Sequence, residues 1–271
     1  MLRSSKLPKS TLVLRTITAA LLVGILGIGG YAAYAYAASP DVIRKPQSEH
    51  YHLRMQILVN GKAENFADKK YQVGYSKDQC NANLPEQPIH FHDNKDQFVH
   101  IHWEGMTGGM VLKYFGWNYI GGMNNALGYK LDNLKDIQKV TTHGDYLPAV
   151  PNDAKFFVYV GSSSAYSEKS FEDFKSQDLE KFFGKTSNSP LHDANQQKTS
   201  LLDKLVPAAS AHAGETHETA SVPETEEQKL TRINNLIGDV VIFVQKDRPT
   251  KQEIENRFNK LEPLGDSTCG G

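Results

Sequence analysis

At 271 residues and a formal net charge of −1, the chain is long enough for one sizeable domain with accessories and has no general electrostatic pull toward nucleic acid or acidic lipid. Hydrophobic residues make up 39% of it, and an N-terminal apolar run takes a good share of them, which leaves a modest core and much solvated chain. The two cysteines, Cys80 and Cys269, form no C-x-x-C, which argues against a thioredoxin-type centre or a zinc finger.

Residues 1–15 carry Arg3, Lys6, Lys9 and Arg15 and no acid, and no charged residue follows between Thr16 and Ala38. Such a run is long enough to cross a bilayer. The basic flank holds residues 1–15 in the cytoplasm, so everything after about Ser39 lies outside. Tyr31, Tyr34 and Tyr36 fall at the outer end, where aromatic rings favour the interface. The competing reading is a cleaved signal peptide and a secreted protein, because Ala33-Tyr34-Ala35 and Ala35-Tyr36-Ala37 are small-x-small sites.

The sequence predicts a histidine-rich α+β module over 48–161. His50 to Val59 alternates strictly, with Tyr51, Leu53, Met55, Ile57 and Val59 on one face and His50, His52, Arg54 and Gln56 on the other. That is the pattern of a half-buried strand. Asn60-Gly61 is a hairpin turn, with a weak return strand near Tyr71–Tyr75. A second hairpin is expected over 88–104. His90 and His92 alternate with Ile89 and Phe91, and His100 and His102 alternate with Val99, Ile101 and Trp103. Asp93-Asn94-Lys95-Asp96 supplies the turn. Pairing His92 with His100 and His90 with His102 gathers four imidazoles on one face, and Glu104 continues their phase. A one-residue slip would scatter both sets. Thr107 then caps a helix with Met110, Val111, Tyr114 and Phe115 at helical spacing and Gly116 at its end. Trp117–Ile120 reads as a short strand and 123–154 as loop. Phe156–Val160 is an apolar strand ended by Gly161.

Val59-Asn60-Gly61 after an H-x-H strand, His90-Phe91-His92-Asp93, Val99-His100-Ile101-His102 and the Thr107–Gly116 helix together carry a resemblance. Over about 50–122 the chain resembles a group of uncharacterised exported or membrane-anchored bacterial and archaeal proteins. Their helix usually reads T-L-G-x-F-F, whereas here the segment is Thr107-Gly108-Gly109-Met110-Val111-Leu112. The resemblance implies an extracytoplasmic module with a histidine face and brings no activity with it.

Residues 162–230 are polar and read as a flexible linker or insert, with one amphipathic helix available to Phe171, Phe174, Leu179, Phe182 and Phe183. His212 and His217 fall in that tract as solvated side chains. Residues 231–264 bring a second apolar strand, Val240–Val244, expected beside 156–160 at the centre of one sheet. A capping-box helix follows from Pro249-Thr250, with Ile254, Phe258 and Leu261 as its stripe. Residues 265–271 are a tail. Outside the cell a Cys80–Cys269 disulfide is permitted; free or intermolecular thiols are the other option.

The expected architecture is therefore α+β: an N-terminal transmembrane helix, then one extracytoplasmic domain with a mixed or antiparallel sheet and a few helices. Six histidines in three H-x-H pairs suggest a metal site for zinc or copper, of binding or sensing type. Its candidate ligands are His90, His92, His100, His102, His50, His52 and Glu104, with Asp93 as a further carboxylate. The alternatives are a metal-free surface module for an unknown protein partner, and a His/Glu metal-dependent enzyme. The sequence contains no G-x-S-x-G, H-E-x-x-H, P-loop or dinucleotide fingerprint, and this weighs against the enzyme. The membrane is the implied partner, and nucleic acid is not.

Overall fold

The computed structural model describes residues 9–39, 41–72, 88–91, 95–117, 144–189 and 224–265. Helix α1, Lys9–Ala38, contains an apolar span, Val13–Ala38, with a mean hydropathy of 1.8 and no buried share. It is long and apolar enough to cross a membrane or to serve as a signal sequence. A four-residue helix, α2 (Asp41–Arg44), follows, and its Ile43 is inserted in the main core.

The rest is an α+β domain around one mixed sheet. Its strands are β1 (Ser48–Val59), β2 (Lys62–Ala63), β3 (Ile89–His90), β4 (Phe98–Trp103), β5 (Lys155–Gly161), β6 (Tyr166–Lys169) and β7 (Leu236–Gln245). The order is β3-β4-β1-β7-β5-β6, with β2 hairpinned onto β1. Only the β1–β7 pairing is parallel; the other neighbours are antiparallel. The C-terminal strand thus lies between the N-terminal one and β5. Buried on both faces, it reads as the continuous apolar run Val240–Val244.

Period-2 alternation sorts the side chains. On the first face, Tyr51, Leu53, Met55 and Ile57 join Val99, Ile101, Trp103, Val240 and Ile242. Helices α3 (Gly108–Tyr114), α4 (Phe171–Ser176) and α5 (Leu179–Phe183) cover this face through Met110, Val111, Phe174, Leu179 and Phe182. On the second face, Leu58, Phe157, Tyr159, Val241 and Phe243 pack under Ile254, Phe258 and Leu261, of which the first two belong to α7 (Lys251–Phe258). A further helix, α6 (Glu226–Ile233), leads into β7. Its capping box, Thr225 with Gln228, and that of α7, Thr250 with Glu253, are both formed.

Several local expectations change. The β3–β4 pairing joins His90 to His100 and Ile89 to Ile101, two residues away from the expected register of His92 with His100 and His90 with His102. Phe91 bridges Gln72 instead of continuing the hairpin, and Gln97 takes a left-handed φ of 73°, so the connection is longer. A two-residue shift preserves side-chain parity, and the histidines keep their common face. The return to β1 is β2, made by Asn60 and Gly61 with φ of 49° and 77°; near Tyr71–Tyr75 the described residues hold only the Gln72 bridge. Trp117 is not in a strand, and 118–120 lie outside the described residues. The polar stretch from 162 is not one linker, since 166–189 contributes β6, α4 and α5. Its apolar positions form two helices because Ser170 and Asp178 each cap a new one.

Candidate metal centre

The second face of the sheet at its β3-β4-β1 end is made of imidazoles. His100 sits in the middle, with His52 of β1 and His90 of β3 as its direct cross-strand partners. At the outer end the register of β1 slips between Ser48, opposite Trp103, and Tyr51, opposite Ile101. This bulge sets two residues, Glu49 and His50, against the single residue His102. The rings close a circuit with centroid separations of 4.8 Å for His50–His52, 4.2 Å for His52–His100, 5.0 Å for His100–His90, 4.6 Å for His90–His102 and 4.9 Å for His102–His50. All five are buried, none being more than 9% exposed.

The His52 ring has a defined orientation. His52 Nδ1–H donates to the carbonyl oxygen of Asn234, which leaves Nε2 with its lone pair facing into the cluster. That Nε2 lies 2.7 Å from His100 Nδ1, so the proton between them belongs to His100. Burial, reinforced by the neighbouring His50, holds the His52 pKa well below the ordinary imidazole value, and the Asn234 bond offsets this only in part. His52 is therefore a neutral ring, the form that ligates metal.

The backbone of β1 is clamped at this point by the turn between α6 and β7. Asn235, at a left-handed φ of 48°, accepts from His52 N at 3.0 Å through its carbonyl and donates its side-chain amide to the His50 carbonyl. Its Oδ1 accepts from Asn188 N at 2.6 Å. Glu49 is fully buried, and its Oε1 accepts from His50 N at 2.9 Å and from Ser187 Oγ at 3.1 Å.

The structure brings His50, His52, His90, His100 and His102 together. His92, Asp93, Cys80 and Cys269 lie outside the described residues. Glu104 lies beyond the end of β4, half-buried, and lines a cavity of about 350 Å³ with Asp41, Val42, Lys45, Gln47 and Gly105. Sequence reasoning missed Glu49, Asn234 and Asn235. The Asn-Asn pair between an amphipathic helix and an apolar run was the available signal, being turn chemistry; nothing in the alternation marked the bulge at Glu49.

No family model, curated protein or solved structure matches this chain.

The resemblance to exported H-x-H proteins thus stands on its motifs alone, and the chemistry rests on geometry. Among the described residues one group of potential ligands clusters tightly. His50, His52 and His100 each offer a nitrogen, and these lie within 4.8 Å of one another. An ion about 2.0–2.1 Å from each nitrogen in tetrahedral geometry would set them ~3.4 Å apart. The observed 2.7 Å contact between His52 and His100 would open by well under 1 Å, and the more distant nitrogen would close in. A histidine trio of this kind can hold a metal ion.

Proposed function

We propose that this protein is a membrane-anchored, extracytoplasmic metal-binding module in which His50, His52 and His100 hold zinc or copper for binding or sensing. The observation that carries the reading is His52. Its Nδ1–H is fixed on a backbone carbonyl and its Nε2 turned toward two further imidazoles. That outer hydrogen bond is the support which metal-ligating histidines commonly have, because it sets the tautomer and makes the inner nitrogen a better donor. A ligand set of imidazoles without thiolate suits zinc, copper or nickel, and it does not suit magnesium or calcium. His90 and His102 belong to the same ring circuit but not to this tight group of nitrogens.

The positions of Arg3, Lys6, Lys9 and Arg15 support an orientation with the N-terminus in the cytoplasm and the domain outside. Protease added to intact cells should then digest the domain. Digestion only after lysis would overturn that placement.

For the metal, full-length protein without a histidine tag, purified in mild detergent, should contain stoichiometric zinc or copper by mass spectrometry. A His52→Asn/His100→Asn double variant with an unchanged circular dichroism spectrum should lose it. Protein that is purified metal-free, and whose melting temperature ignores added zinc and copper, would refute the proposal.

A further inference from the structure

We infer that Asn235 is the positioning residue of the histidine site: its side-chain amide holds the backbone of His50 and His52 in place, and metal affinity depends on it. That role rests on the metal-binding reading of the site. The two ligands lie in an irregular stretch of β1. Against β4 the register slips between Ser48 and Tyr51, and against β7 it slips between His52 and Leu53. The ladder therefore changes step on both sides of the ligand pair, and something other than a continuous run of strand pairing sets the backbone there.

In a parallel ladder, the residue opposite Tyr51 accepts from the His52 N–H and donates its own N–H to the His50 carbonyl. Asn235 holds that place, one position before Leu236, the partner of His52. Its carbonyl does accept from His52 N, at 3.0 Å. Its own N–H, at a left-handed φ of 48°, is turned back onto the Arg232 carbonyl at 3.0 Å, at the end of α6. The side-chain amide takes over and donates to the His50 carbonyl. One asparagine thus completes the ladder across both ligands while its backbone ends the helix. Asparagine suits both tasks, because it tolerates the left-handed region and its amide stands in for a peptide group. Its Oδ1 accepts from Asn188 N at 2.6 Å, which keeps the amide pointed at β1. The preceding residue brings its carbonyl, Asn234 O, to His52 Nδ1. The same turn therefore fixes the backbone of two ligands and the ring of one. Outer partners of this kind are worth about 10–100-fold in metal affinity.

The test uses tag-free, full-length protein in mild detergent, with zinc and copper(II) affinities read separately by competition with indicators of known affinity. Asn235→Gly keeps the left-handed turn and the carbonyl and removes only the amide. Asn235→Asp keeps the size and the acceptor for Asn188 N and replaces the donor by an oxygen facing the His50 carbonyl. Each should bind the ion at least ~10-fold more weakly than wild type. Thr250→Ala, which removes the α7 cap instead, should bind it as wild type does, and this separates positioning from a general loss of stability. Linkage supplies a measurement that needs no variant: the ion must tighten the clamp by the factor that the clamp tightens the ion. Saturating wild type should slow hydrogen exchange at the Asn188 N–H about tenfold, and slow it more than at the Tyr159 N–H on β5. Wild-type affinity in a folded Asn235→Gly or Asn235→Asp would overturn the inference and leave the metal-binding reading standing. So would an equal loss in Thr250→Ala or, should neither Asn235 variant fold, equal slowing at Asn188 and Tyr159. A wild-type protein that binds neither ion would remove both.

Discussion

The Arg54–Asp239 pair allows the sheet beside the histidine site to be tested quantitatively. These residues are register partners across the parallel β1–β7 pairing. Arg54 Nε and Nη2 donate to the two carboxylate oxygens of Asp239, both at 2.7 Å, and Nη1 donates to the Glu262 carbonyl at 2.8 Å. The side chains are only 16% and 14% exposed. Removing one partner of a fully buried pair costs about 3–5 kcal/mol, because the other charge is stranded. The residual exposure lets water reach the stranded group, which lowers this to about 2–3 kcal/mol, and the lost bond to Glu262 adds ~1. Arg54→Leu should therefore destabilise by about 3–4 kcal/mol and Asp239→Leu by about 2–3. The double Leu variant should be no worse than the poorer single, giving a coupling of ~2 kcal/mol or more. Urea unfolding in mild detergent, followed by the fluorescence of the buried Trp103 and Trp117, measures all four proteins. Single-variant losses that simply add within ~0.5 kcal/mol would show that the fork contributes no more than a surface ion pair, and the reasoning would fail.

The other predictions concern single positions. Because the folded-state pKa of His52 lies below its unfolded value of about 6.5, the unfolded chain binds more protons between the two. Metal-free stability should be complete above about pH 6.5 and fall as pH drops through the lowered folded pKa, and His52→Asn should flatten that slope in melting curves. The Tyr51 hydroxyl is buried and makes no hydrogen bond among the described residues, so Tyr51→Phe should melt at or above the wild-type temperature; a loss above ~1 kcal/mol would reveal a bonded hydroxyl. A Cβ at Gly108 would fall 2.4 Å from the Phe174 ring, so Gly108→Ala should cost ~1–3 kcal/mol in urea despite alanine's helix preference, with Phe174→Leu restoring part of it. Thr250→Ala removes the α7 cap, which both accepts from Glu253 N and joins its side chain. It should cost about 1 kcal/mol, and unchanged stability would mean that α7 docks by its apolar stripe alone.

What the sequence revealed about the site depended on periodicity. Alternation placed five of the six paired histidines on one face without knowledge of the exact pairing, because a two-residue register change leaves parity intact. It also identified Val240–Val244 and Phe156–Val160 as interior strands. It could not show that β7 would pair in parallel with β1, since apolar runs carry no direction. It could not show Asn234 and Asn235 at the back of His50 and His52, because that contact joins residues more than 180 positions apart. Glu104 followed the correct phase but lay past the last paired residue of β4, where the chain turns and the alternation no longer governs direction. The sequence showed one amphipathic helix through Phe171 and Phe183, and the break made by the Asp178 cap divides it in two, with Phe174, Leu179 and Phe182 as buried as any core position.

The parallel β1–β7 pairing governs when this protein can acquire its site. The middle strand of the sheet is the last of the described strands in chain order, so His52 lacks its carbonyl until Asn234 has been made, and the histidine strands lack their flank until Leu236–Gln245 follows. Closing so long a loop makes such a topology slow to fold and leaves an open strand edge in the meantime. A truncation between residues 105 and 235 would do more than shorten the protein: it would keep all the candidate ligands but remove the strand that brings their backbone into line.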